Sequence, residues 1–216
     1  MEESGDRTEA TKALNFKIPE SAVVFRLAWY AVASKPGVLL NDYSEAESQI
    51  FNGKAAFSVR IDDSPATINV WVEGAQKLVE LTASGEDSST LEEYLAGIAS
   101  TIENSVKKYQ SLSEDDRGKL KRALVAKTCW DRLVFYILKK APLESVYFQL
   151  AHGREMMIKA TEGEELMSLP LGTSGWLSKI ESMPRDEAMP GNVATELAKK
   201  SIEWKKETHE VIARYL

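Results

Sequence analysis

The chain holds one cysteine, Cys129, and two histidines, His152 and His209, so thiolate, imidazole and zinc chemistry have few residues to work with. A nucleophilic cysteine needs a depressed pKa, partial exposure and a base within hydrogen-bond reach. Cys129 sits instead in "AKTCWDRLVFYILKKAP", between Thr128 and Trp130, with no glycine nearby to open the backbone. Free cysteine is among the most buried residue types, which predicts a structural role here. "HEVIA" starts like a zinc-protease helix, but Ala213 stands where the second histidine belongs. Three thiol and imidazole groups cannot complete a structural zinc tetrad. Asp62-Asp63 and Asp115-Asp116 lack the ligand spacing of a calcium loop. In "GTSGW" the glycine directly follows Ser174, unlike a nucleophile elbow, and no phosphate-binding glycine pattern occurs. No metal or cofactor is therefore expected, and catalysis is not indicated. One route stays open: two glutamates distant in sequence that converge in a cleft.

Binding chemistry has better candidates. In "ATINVWVE", Trp71 falls on the strand face opposite Ile68, Val70 and Val72, beside Thr67, Asn69 and Glu73. A large aromatic on an outer sheet face calls for a cover: the C-terminal region, a second copy of the chain, or a ligand. Trp204 raises the same question, because its helix has only a narrow stripe of Leu197, Trp204 and Val211. A third candidate is basic. Wound at ~100° per residue, the helix from Arg117 to Lys140 gathers Arg117, Lys121, Arg122 and Arg132 on one side, with Lys127 an intruder on the apolar side. That basic side is a solvated face, a dock for acidic surface of the N-terminal half, or a contact for nucleic acid or anionic lipid. "PLESVYFQLAHGREMMIKA" fits a helix-turn-helix poorly, since Gly153 is followed by Arg154, Glu155 and two methionines. Nucleic acid is a disfavoured partner.

The elements that position these residues follow from periodicity. A mobile acidic tail is expected over 1–12. "KALNFKI" alternates as a strand, and "PESAVVFRLAWYAVASKPG" recurs at helical spacing through Val24, Leu27, Ala28 and Ala31. Two or three strands follow to Ile61, with a tight turn expected at Asn52-Gly53. After a turn at Asp62–Pro65 come strands through Val70 and Leu81, then a helix opened by a Ser89/Glu92 capping box. Its stripe is Leu91, Leu95, Ile98, Ile102 and Val106.

Beyond the polar stretch 111–119 the pattern is mainly helical. Ser113 and Asp116 cap a helix to about Lys140, whose last turns, apolar all round, should be enclosed. A second helix begins at Pro142 and weakens at Gly153. "SLPLGTSGWLSKIESMPRDEAMPG" should be irregular, with one short helix at most. Asn192 should cap a final helix to Leu216.

This order describes an α+β fold: an antiparallel sheet with helices on one face over 13–110, and a mainly helical region over 113–216 packed on it. The element order resembles that of helix-grip folds, in which a long helix crosses an antiparallel sheet. The resemblance implies a cavity between sheet and helix, here lined by Phe57, Val59, Val70, Val72, Leu81, Leu95, Ile98 and Ile102.

Bulk properties narrow the class. At 216 residues with 44 % apolar content, the chain suits one large domain or two small ones. The apolar run Leu133–Leu138 is far short of the ~20 residues that cross a bilayer. A polar start, a lone cysteine and the lack of an Asn-x-Ser/Thr sequon fit a cytoplasmic protein. Residues 1–112 hold 10 basic and 17 acidic side chains, net −7, while the remainder holds 17 and 16, net +1. The leading functional expectation is a non-enzymatic binding protein whose partner is another protein or a second copy. The alternatives are a carrier, or an enzyme, with an apolar small molecule in the cavity, and a weak nucleic-acid regulator through 117–160.

Overall fold

The computed structural model describes residues 8–47, 50–162 and 168–216, without the side chains of 47 and 168–171. It divides into two compact units, Met1–Ser111 and Leu112–Leu216. The class is α+β, with a five-stranded antiparallel sheet followed by a run of helices.

In the first unit the order is β1 (Thr8–Asn15), α1 (Ser21–Ala33), β2 (Leu39–Glu47), β3 (Phe51–Ile61), β4 (Ser64–Glu73), β5 (Leu78–Gly85) and α2 (Ser88–Ser111). The sheet runs β1-β5-β4-β3-β2, each neighbour antiparallel. Residues 8–12, expected in the tail, pair with β5 instead, because Ala10 is buried and Thr8 donates its hydroxyl to the Gly85 carbonyl. Residues 1–7 lie outside the described residues.

Strict alternation sets the faces. Ala55, Phe57, Val59 and Ile61 of β3, Ile68, Val70 and Val72 of β4, and Val79, Leu81 and Ala83 of β5 are all buried. They meet α1 and α2. Trp29 of α1 stands edge-on to Phe57 at 5.2 Å, and Phe25 edge-on to Trp29 at 5.7 Å. Such pairs add ~0.5–1.5 kcal/mol each beyond burial.

Two local expectations give way to this core. Asn52-Gly53 is not a turn but part of β3, paired with Glu73 and Val72. Gly53 is there because Phe25 lies on it: a Cβ would stand 3.0 Å from the ring. Asp87, not Ser89, caps α2, its carboxylate accepting from the Ser89 amide and from the Ser89 and Thr90 hydroxyls. These bonds hold the Asp87 carboxyl below its ordinary pKa. The β3–β4 turn tightens to Asp62-Asp63, both at positive φ (47° and 64°), as a two-residue hairpin with right-handed strand twist requires.

The second unit contains α3 (Glu114–Leu138), α4 (Leu143–Ala160), α5 (Ser168–Glu181) and α6 (Gly191–Ala213). The Ser113 hydroxyl caps α3 by accepting from the Asp116 amide at 3.1 Å. The last turns of α3 are not enclosed: Leu138 is 59 % exposed and residues 134–137 are half-buried. Helix α4 does not weaken at Gly153. The glycine lets α4 approach α3 so closely that a Cβ would stand 2.7 Å from the Trp130 ring and 3.0 Å from the Cys129 Cβ. Cys129 is accordingly buried in this contact, at 1 % exposure.

The stretch expected to be irregular holds the 14-residue α5. Pro170 falls in its first turn, where an amide has no helical partner anyway, and burial of Thr173 and Ile180 offsets the cost of Gly172 and Gly175. Asn192 lies within the first turn of α6, and Pro190 is the cap residue with no side-chain bond. The strand-like bridge Pro142–Ala188 and the bond from the Leu143 amide to the Glu187 carbonyl fix this entry.

Two helical glycines in the second unit separate these effects. Gly118→Ala, with nothing within 4 Å of the new Cβ, should stabilise by about 0.5–1 kcal/mol. Gly153→Ala should instead destabilise by about 1–3 kcal/mol through overpacking against Trp130. Urea unfolding of the two variants checks both signs.

Candidate functional site

Because Val70 and Val72 face the helices, Trp71 must face away from them. Register places it in a row across four strands, Ser44–Lys54–Trp71–Glu80. The adjoining row is Asp42–Ala56–Asn69–Thr82. The first row is tall and the second is low at Ala56, which opens a trough of about 330 Å³ over β2 to β5. Trp71 is half-buried in it. Lys54 Nζ lies 5.0 Å from the ring centroid, a cation–π contact worth ~0.5–1 kcal/mol at an exposed site. Asn69 donates to the Thr82 hydroxyl at 3.0 Å, and the Tyr43 amide donates to Asp42 at 2.8 Å. The trough thus offers one aromatic wall, an ammonium, two carboxylates, an amide and two hydroxyls. Such a surface can take a polar chain with one apolar group laid against the ring. Only Trp71 stood out in the sequence; its neighbours are ordinary strand residues until cross-strand register brings them together.

A second cluster lies inside the helical unit. Lys127 Nζ meets Asp131 Oδ2 at 2.7 Å, and Lys205 Nζ of α6 meets Asp131 Oδ1 at 2.8 Å. The Lys127 and Asp131 side chains are 4 % and 5 % exposed. This explains the intruder: Lys127 sits on the apolar side because Asp131, one turn on, shares its burial. Burial pushes the Lys127 ammonium pKa down, against the pull of Asp131. Burial alone would raise the Asp131 carboxyl, but the two lysines outweigh it and hold the group below the ordinary carboxylate range. The cluster bonds α3 to α6. Among the described residues no group of three metal-ligating side chains occurs.

The remaining expected site residues are placed as follows. Phe57, Val59, Val70, Val72, Leu81, Leu95, Ile98 and Ile102 are all buried, between 0 % and 4 % exposed. Trp204, expected on a partner surface, is 3 % exposed and packs at 5.5 Å on Trp130. Its stripe is wider than its apolar residues suggest. Ser201 and Thr208 are buried too, donating to the carbonyls of Ala198 and Trp204, and the Trp130 indole donates to the Thr208 hydroxyl at 2.9 Å. Arg117, Lys121, Arg122 and Arg132 are half-buried rather than a solvated face, and Arg122 donates to the Lys159 carbonyl at 3.2 Å. His152 stacks on Phe148, and His209 is exposed on α6.

Asp131→Asn leaves two ammonium groups around a neutral amide and should cost about 3–5 kcal/mol of unfolding free energy. Since the folded-state pKa of Asp131 lies below its unfolded value, its stabilisation is present above the ordinary carboxylate range and lost as pH falls through the folded value. Urea midpoints measured from pH 7 down to about 3 should therefore fall more steeply for the wild type than for the variant. No family model, curated protein or solved structure matches the chain.

Proposed function

We propose that this is a binding protein that receives a polypeptide partner on the outer face of its sheet, with Trp71 as the anchor. One observation carries this: the largest side chain on that face stands half-buried at the wall of an open, mixed-charge trough. Tryptophan dominates interface energetics when a partner completes its desolvation. The trough carries both signs of charge, Lys54 against Asp42 and Glu80, which suits a polypeptide better than a polyanion. Its openness suits an extended segment better than an engulfed small molecule.

The buried set between sheet and helices supports the same choice. Eight side chains at 4 % exposure or less leave little wall for a ligand enclosed within the core between sheet and helices. A nucleic-acid surface along 117–160 has weaker support, since its arginines are half-buried and Arg122 is engaged with Lys159.

The experiment is a paired affinity capture from the protein's own cells. It uses wild type, Trp71→Ala and the nearby surface control Thr67→Ala. A hot-spot anchor is worth about 2 kcal/mol or more, roughly a 30-fold loss of affinity. At least one protein should be retained by wild type and Thr67→Ala and lost from Trp71→Ala. Identical retention by all three would refute the assignment.

A further inference from the structure

At the β1 edge, on the helix side of the sheet, a second groove of about 330 Å³ opens between β1 and α2. Its floor is apolar: Leu14, Phe16, Val79 and Ile102 are all buried, and Val106 is half-buried beside them. Its rim is cationic. Lys17 and Lys107 are both exposed there, with Glu103 the one acidic side chain, and neither lysine pairs with a carboxylate among the described residues. The walls are tied in place. The Phe16 amide donates to the Lys77 carbonyl at 3.0 Å, and the Tyr109 hydroxyl of α2 donates to the Glu20 carboxylate at 3.2 Å.

From this combination we infer that the β1–α2 groove binds a small amphiphilic carboxylate, its apolar chain along Leu14, Phe16 and Val106 and its carboxylate between Lys17 and Lys107. The volume lies at the low end of the ~300–1,000 Å³ typical of ligand sites, which limits the ligand to a short chain. Two ammonium groups against one carboxylate set the sign of the head group. The groove uses none of the Trp71 surface, so the two sites stand or fall separately.

Octanoate is the probe, titrated into the full chain and followed by amide NMR shifts, with octanol as its uncharged counterpart. One octanoate should bind saturably, with shifts centred on residues 14–17 and 102–110. Lys17→Gln/Lys107→Gln, both exposed positions, should weaken octanoate by about tenfold and leave octanol unchanged. Val106→Trp, which fills the groove, should abolish binding, with its melting curve confirming the fold, and Trp71→Ala should leave binding intact. No saturable shift at millimolar octanoate, shifts centred elsewhere, or equal affinity for octanol in the wild type would overturn the inference.

Discussion

The first unit depends on the edge-to-face interlock of Phe25 and Trp29 with the inner face of β3. Phe57 meets Trp29 edge-on, and Gly53, four residues back along β3, has surrendered its side chain to the Phe25 ring. Once those contacts fix β3, antiparallel register leaves no freedom in β4. Val70 and Val72 must join the same core, and Trp71 must stand on the other side. A slip of one residue in β4 would turn Asn69 and Glu73 inward and expose the valines, at a cost of many kcal/mol. The trough is thus a by-product of core geometry, and the tryptophan in it is the residue that a purely structural face does not require.

The second unit solves a different problem. Helix α3 is buried on its core side between Leu120 and Leu133 yet must carry charge there. The Lys127–Asp131–Lys205 cluster admits that charge by supplying partners at 2.7 and 2.8 Å. Buried ion clusters add little net stability compared with apolar replacements, but they penalise any arrangement that separates their members. Beside them, Trp130 contacts Gly153 of α4 and both Trp204 and Thr208 of α6. That one side chain sets the spacing of three helices.

Legibility followed the range of the interaction. Alternation in β3, β4 and β5 and the stripes of α1 and α2 were plain in the sequence, since each reflects one buried face. Ser113 was plain as a cap because its partner lies three residues away. Gly53 and Gly153 misled for a shared reason. A glycine that makes room for a distant ring looks the same as one that makes a turn or ends a helix. Ser201 and Thr208 hid in the same way, polar by type yet buried by bonding to their own helix carbonyls. Trp71 was legible as an outlier, whereas its trough was not, because Lys54, Ala56 and Glu80 become its neighbours only through strand register.

The most direct test of Trp71 as the anchor of a binding face is fluorine NMR of the chain labelled with 5-fluorotryptophan, recorded in buffer and in extract of its own cells. Trp29, Trp130 and Trp204 are enclosed, at 0 %, 0 % and 3 % exposure, and serve as internal references for viscosity and folding. Selective broadening or displacement of the Trp71 resonance, with those three unchanged, is the predicted result. A Trp71 resonance that stays with the enclosed tryptophans under both conditions would contradict it.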